Sequence, residues 1–368
     1  MTLSLEAFLE DLKSEARLES SGQFTLDLSH ARDKLAAYQL KKTDDLLLKL
    51  VQCGVAGGAS RMDFESKNSH VRFVFHGLVF SQKELDQILN YLLQQEPGTN
   101  RALRHLATAV NTAVGTRPSA IALASWDGQR GHLTRWSSQG KESQSWTPPH
   151  GGRAQTVFQL IRTPAEWRET IKHLFNQRDV IGMFFGWKTG WTAEQELLAD
   201  RAAWCPVPIF MNGKLLPETP LVVGRVRSSQ QEKIIRHGAE ARLAGNTGGV
   251  RLTTREVKPW SGSTFPKGPV TAVITAGVQE GGLQIPSYVE LVNDGITSVR
   301  RMIDGLPSNQ FVRVLAATDG FQTDLDGFSL VENDDYRVFL DWLLGQSAQL
   351  FPAAGLGALP QLNLARRR

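Results

Sequence analysis

Residues 46–64, LLLKLVQCGVAGGASRMDF, carry a helical hydrophobic period, a glycine stop and the opening of a strand in one short run. Leu46, Leu47, Leu50, Val51, Gly54 and Val55 recur at the spacing of a single helical face. Gly57 and Gly58 predict the end of that helix, because only glycine reaches positive φ without steric cost. After Ala59-Ser60-Arg61 the period falls to two at Met62-Asp63-Phe64, which predicts a strand. A helix-to-strand turn of this kind can wall a ligand pocket, so the side chains along it decide what chemistry is available.

At 368 residues the chain allows two or three domains, each with its own core. A hydrophobic content of 41% with 21% charge is that of a globular protein. No run of 18 apolar residues occurs, so no transmembrane helix is expected. The N-terminus, MTLSLEAFLEDLKSEARLE, lacks a basic leader and predicts a helix instead of a signal peptide. Cys53 and Cys205 are far apart among apolar neighbours, which predicts buried free thiols and a cytoplasmic protein. The net charge of +4 includes the terminal Arg366-Arg367-Arg368 and is too small to argue for nucleic acid by itself.

Along the chain, a leading helix over 1–25 and one or two helices over 30–56 are expected. Val71–Phe75 reads as a strand, and Ser81–Gln94 as a helix opened by Ser81 and Glu84 in capping-box spacing. Thr99–Ala113 reads as a helix, and Ala120–Ser125 with His132–Trp136 as a hairpin around Asp127-Gly128. The polar stretch 137–152 reads as a loop. A strand at Thr156–Leu160, helices at Pro164–Asn176 and Thr192–Ala203, and a strand at Pro206–Met211 entering an Asn212-Gly213 turn follow. Composition shifts near 225, where a domain boundary is expected; Arg225–Arg255 is charged and weakly periodic. Strands are expected at Val270–Ala276, Ser287–Val292 and Phe311–Ala316, turns at Asp294-Gly295 and Asp304-Gly305, and a helix at Asp334–Leu344 stopped by Gly345. The tail 351–368 is expected to be loosely ordered.

Element order and the run Lys49 to Met62 resemble the GHKL superfamily of gyrase B subunits, ninety-kilodalton heat-shock chaperones, histidine kinases and MutL-type ATPases. Those proteins carry a helix of pattern E-L-V-x-N-x-x-D-A-G-A-[ST]-R-I, a strand ending D-x-G-x-G and a glycine-rich lid. The chain matches the first pattern at Leu50, Val51, Gly58, Ala59, Ser60 and Arg61. Lys49 stands at the place of the glutamate that polarises the attacking water, and a cation cannot be that base. Cys53 replaces the Mg²⁺-binding asparagine with a soft thiol, and Ala56 stands where the pattern has aspartate. Phe75 replaces the aspartate that accepts from the adenine amino group, and of that second motif only Gly77 is kept. The lid should fall near 98–110, where a single glycine, Gly98, precedes continuous helix.

The resemblance implies an α+β protein: a GHKL-like (Bergerat-type) two-layer α/β sandwich over 1–225 and a second α/β domain over 226–350. The second domain suits a ribosomal-S5-like fold. It further implies a degenerate nucleotide pocket at Lys49, Cys53, Ala56, Phe75 and Gly77, with neither ATP nor Mg²⁺ expected to be retained and no catalytic residue. The function expected is non-catalytic: a chaperone-like scaffold, regulatory or protein-interaction module with a protein partner and no membrane, homo-oligomerisation staying open. Two alternatives stand beside it, an ATP-binding chaperone-like ATPase using substitute residues and a nucleic-acid-associated MutL-like protein.

No P-loop, HExxH, CxxC or GxSxG occurs. The eight histidines fall in no metal-ligand spacing; His76 and His105 are the two expected to face the old nucleotide pocket. The acids of 319–335 miss the EF-hand pattern and read as a turn and a helix cap. The aromatic, glycine-punctuated stretch 184–191 is either a partner surface or packing. Arg130, Arg135 and Arg153 near Trp126, Trp136 and Trp146 form the one aromatic-basic grouping that suits bases.

Overall fold

The computed structural model describes residues 40, 43–67, 69–92, 100–148, 152–162, 193–216, 250–260, 270–279, 286–307, 310–318, 321–324, 326–353 and 363–364. The leading helix, the helix expected at 164–176, the stretch 184–191 and the boundary near 225 lie outside the described residues.

The first sheet contains β1 (Arg61–Lys67), β2 (His70–His76), β3 (Ala120–Trp126), β4 (Gly131–Ser137), β5 (Gly140–Ser145), β6 (Gln155–Ile161), β7 (Ile209–Met211) and β8 (Lys214–Leu215). Their order is β5-β4-β3-β6-β2-β1-β7-β8, antiparallel except between β1 and β7. Helices α1 (Leu46–Ala56) and α3 (Arg101–Gly115) pack together with one face of it; α2 (Gln82–Asp86) and α4 (Ala193–Arg201) complete the described helices of this part. Alternation sends Met62, Phe64, Val71, Phe73, Phe75, Ile121, Leu123 and Phe158 toward the helices. Each such side chain contributes about 1.5–3 kcal/mol on full burial. On the other face Val74, Ala124 and Val157 form a small cluster with Leu133 and Trp146.

Helix α1 ends as its glycines predict, but they serve different purposes. Gly58 has φ +73, and the Ala59 N–H reaches back to Gly54 O at 2.8 Å. Gly57 stays right-handed; a Cβ there would lie 2.7 Å from Leu78. The helix expected over 81–94 is shorter, α2 followed by a 3₁₀ turn at Ile88–Leu92, although both halves of its capping box are present. Helix α3 starts from Asn100, whose side chain accepts from Ala102 N at 3.0 Å. The 137–152 loop contains a strand, β5, that has no hydrophobic alternation because every residue in it is exposed. Pairing with β4 defines it, and Ser143 Oγ donates to Asp86 Oδ1 at 2.6 Å.

The second sheet contains β9 (Val250–Trp260), β10 (Val270–Gln279), β11 (Tyr288–Asn293), β12 (Ile296–Asp304), β13 (Gln310–Ala317) and β14 (Asn363–Leu364), in the order β14-β12-β11-β13-β10-β9. Helix α5 (Asp334–Ala353) lays Tyr336, Phe339, Leu340 and Leu343 on this sheet, the spacing of one helical face. Strands β9 and β12 were not expected, because their charged residues hide the period. The helix runs through Gly345: Leu343 and Ser347 on either side are buried, and their packing outweighs the roughly 1 kcal/mol glycine cost. The tail is not wholly loose, since Asn363–Leu364 pairs with β12.

The β11–β12 turn sits unusually deep. Asp294 (φ +46) and Gly295 (φ +81) form the two-residue connection that such a hairpin favours. Every residue from Leu291 to Ile296 is buried, and Ile296 belongs to the core of the first sheet. A Cβ at Gly295 would meet Val55 at 2.8 Å and Cys205 and Pro206 at 3.1 Å. Gly295→Ala therefore combines a disfavoured φ with overpacking and should lower stability by about 2–4 kcal/mol. Urea unfolding checks this, and a change under about 0.5 kcal/mol would contradict so close a contact.

Candidate functional site

Four elements meet at Lys49: helices α1 and α3 of the first sheet, the buried β11–β12 turn, and the loop segment with Asp324 and Asp326–Phe328. Lys49 is 2% exposed. Its Nζ donates to Gln52 Oε1 at 2.8 Å and stands 4.1 Å from the centre of the Phe328 ring. Gln52 Nε2 donates across the junction to Asn293 O at 3.3 Å and Gly327 O at 3.4 Å. A Cβ at Gly327 (φ +69) would lie 2.5 Å from Lys49 Nζ, so only glycine allows the loop this close. The loop's shape comes from its own acids: Asp324 Oδ1 accepts from the N–H groups of Gly327 (3.0 Å) and Ser329 (3.2 Å), and Asp326 Oδ1 from Phe328 N (2.7 Å).

Beside Lys49, His105 Nε2 lies 3.1 Å from Asp294 Oδ2, and Arg101 reaches Asp294 Oδ1 at 3.5 Å. Burial pushes the Lys49 amine down to about 7, against the pull of Asp326, Asp294 and Asp324. Burial likewise pushes His105 down to about 4, with the Asp294 hydrogen bond opposing. For Asp294 burial acts upward, but the His105 hydrogen bond and the charges of His105, Arg101 and Lys49 outweigh it and hold the carboxyl below its usual range.

The sequence-predicted pocket residues are only partly brought together. Cys53 and Phe75 are fully buried, burial pushes the Cys53 thiol far up, and the Phe75 ring lies tilted against Phe73 in the core, 5.0 Å between centroids. Leu106 on α3 is also fully buried. Leu78 and Phe80 are buried as well, held by Phe80 N donating to Ser125 Oγ (2.9 Å) and Thr156 Oγ1 donating to Leu78 O (2.9 Å). Ala56 is half-buried at the end of α1, and Gly77 is exposed at φ +79. Contrary to the expectation from sequence that it faces the old nucleotide pocket, His76 does not face the helices. The alternation of β2 turns it to the open face of the sheet, where Nε2 meets Asp63 Oδ2 at 2.7 Å. That face holds a cleft of about 590 Å³ lined by Arg61, Asp63, Glu65, Arg72, His76 and Asn212 among others. Trp126, by contrast, is buried and bonds to Gly152 O (3.2 Å), which argues for packing at that tryptophan.

Sequence reasoning missed Gln52, Asp294, Asp326, Gly327 and Phe328 as parts of one site. The Asp294-Gly295 and Asp326-Gly327 pairs read as surface turns, and their shared neighbour, Lys49, is more than 240 residues away in sequence. No group of three or more His, Cys, Asp or Glu able to hold a metal occurs among the described residues. The arrangement buries an amine and eases the loss of its proton, with Asp294, Asp324 and Asp326 close enough to oppose that loss.

The pH dependence of stability follows from these directions. Between about 4 and 6.5 the unfolded state binds a proton at His105 that the folded state does not, so stability rises with pH across that window. Lys49 acts likewise between about 7 and its ordinary 10.5. Asp294 contributes stability above its ordinary 3.8, lost as pH falls through its lower folded value. Urea unfolding at pH 4.5 to 6.5 should show a slope of up to about 1.4 kcal/mol per pH unit that His105→Gln reduces. An unchanged slope in that variant would refute the assignment.

No family model matches the chain, and no curated protein matches it. Among solved structures, it is similar to the B-subunit of the DNA gyrase from Myxococcus xanthus, with a TM-score of 0.50 and 9% identity over 89% of this chain and 98% of that one. At that identity the likeness is one of fold alone, a mixed α and β architecture.

Proposed function

We propose that the chain is a non-catalytic protein with a GHKL-like ATPase fold, acting as a chaperone-like scaffold, regulatory or protein-interaction module. Its first domain ends near 225, and its second, over 226–350, is ribosomal-S5-like. The observation that carries the reading is the environment of Lys49. In the resemblance this position belongs to the general base, whereas here it holds an amine buried under Phe328 and tied through Gln52 to the second sheet's loops. With its amine engaged by Gln52 and covered by Phe328, this lysine is not disposed to activate a water for attack on a phosphoryl group. Cys53, Phe75 and Leu106 being fully buried supports the same reading, because nucleotide and Mg²⁺ would have to displace packed apolar groups. Protein partners are the binding class proposed, with nucleic acid and ATP binding as outcomes that the tests below distinguish. The same reading makes the protein cytoplasmic, in line with its two buried free thiols; no helix among the described residues is long and apolar enough to cross a membrane.

Isothermal calorimetry with ATP and Mg²⁺ should show no saturable heat at ligand concentrations approaching the millimolar range. Micromolar binding would overturn the reading in favour of the substitute-residue ATPase. Lys49→Glu combined with Cys53→Asn should give no ATP turnover, since Phe75 still occupies the place of the adenine acceptor; recovered turnover would show the site to be less altered than proposed. Salt-dependent DNA binding, lost on neutralising Arg130, Arg135 and Arg153, would favour the nucleic-acid alternative.

A further inference from the structure

The contacts at Lys49 are unusual in kind as well as in depth. A hairpin turn is ordinarily the most solvated part of a sheet, yet the β11–β12 turn is buried from Leu291 to Ile296 and carries an aspartate into the junction. The loop segment Asp326–Phe328 approaches from the other side, with no side chain at Gly327 and the Phe328 ring laid against the amine. Between them stand one lysine and one histidine, both on helices of the first sheet. Hydrogen bonds cross the junction here from Gln52, from His105 and from Arg201 of α4, whose Nε donates to Thr297 O at 2.9 Å.

We propose that Lys49 and the two loops form a latch between the two sheets, closed when the Lys49 amine is neutral and released when it takes up a proton. This device is separate from the question of nucleotide binding, since no contact in it requires a ligand. It gives the non-catalytic reading a means of regulation.

The physics is that of a linked equilibrium. In an open junction the amine is solvated and keeps its ordinary value of 10.5; closed, burial takes it to about 7. Closure therefore releases a proton anywhere between these values, and acidification through that window favours the open form by up to tenfold per pH unit. Below about 7 both forms are protonated at Lys49, and its contribution levels off. His105 extends the same tendency between 6.5 and about 4.

The charged groups facing the amine from the surrounding elements act in opposite directions. From the loop, Asp324 and Asp326 raise its proton affinity, and Asp294 from the turn does the same. From α3, Arg104 lowers it, while Arg101 and His105 are engaged by Asp294. Arg201 of α4 lies on Phe328, 5.8 Å from its ring centre, beyond the amine's own contact. Three carboxylates thus partly offset the burial, which leaves the transition near neutrality instead of far below it.

Hydrogen exchange on the full chain, without nucleotide, tests the latch. Amides of 46–56, 288–297 and 321–330 should open about tenfold less often for each pH unit from 7 to 9, once the base-catalysed rate is removed, while those of the 120–137 hairpin stay unchanged. At a fixed pH of 7.5, Lys49→Met should slow exchange in the junction and remove its pH dependence; Lys49→Arg, always charged, should speed it. A pH dependence equal in Lys49→Met and the parent chain would overturn the proposal. So would junction amides that exchange only with global unfolding. Should either variant fail to fold, the pH series on the parent chain still decides, because a flat junction response between 7 and 9 excludes the latch. An added ATP·Mg²⁺ series addresses the non-catalytic reading alone: protection by nucleotide would refute that reading and leave the latch standing.

Discussion

The burial of Lys49 is the constraint on which the arrangement of the two sheets depends. An amine taken out of water at 2% exposure needs a partner or an easier loss of its proton; Gln52 is the partner, and burial lowers the amine to about 7. Gln52 satisfies the amine and spends its own amide N–H groups on the backbone of the opposite sheet. The β11–β12 turn can then enter the first core, which places Ile296 among apolar side chains and Asp294 beside His105. Gly295 and Gly327 are the two positions where the absence of a Cβ lets this happen, one against Val55 and one against the lysine itself.

The same contacts are the basis of the non-catalytic reading proposed for the chain. Catalysis of phosphoryl transfer needs carboxylates, a metal and free backbone N–H groups arranged around an open space. Here helix α1 carries an amine and a fully buried thiol, and β2 places Phe75 against Phe73 in a tilted aromatic contact. Ser125 and Thr156 then hold the segment after that strand against the sheet, with Leu78 and Phe80 turned inward. The changes reinforce one another, because each removes a polar group the others would need.

Much of the first sheet was legible in the sequence. The helix at Leu46–Ala56, the β1–β2 and β3–β4 pairs, the Ser81 capping box and the Asn212-Gly213 hairpin all follow from local patterns. Strands β5, β9 and β12 were not legible, because exposed or charged residues carry no period-two signal. The continuation of α5 past Gly345 was hidden for a related reason: the packing of Leu343 and Ser347 decides it, and a glycine seen alone points the other way.

What the sequence by itself determined is the chemistry the side chains at these positions lack: a lysine, a cysteine and a phenylalanine bring no carboxylate, no hard-metal oxygen ligand and no acceptor for an adenine amino group. It also determined the left-handed turns, since Gly58 and the Asp294-Gly295 pair are local requirements of backbone geometry. Only the tertiary structure decided what replaced that chemistry. Whether Asp294-Gly295 is a surface turn or a buried plug, and whether Lys49 is a solvated charge or a sealed amine, depends on residues hundreds of positions apart meeting in space. Local periodicity records which side of an element faces a core, but it carries no record of which core that is.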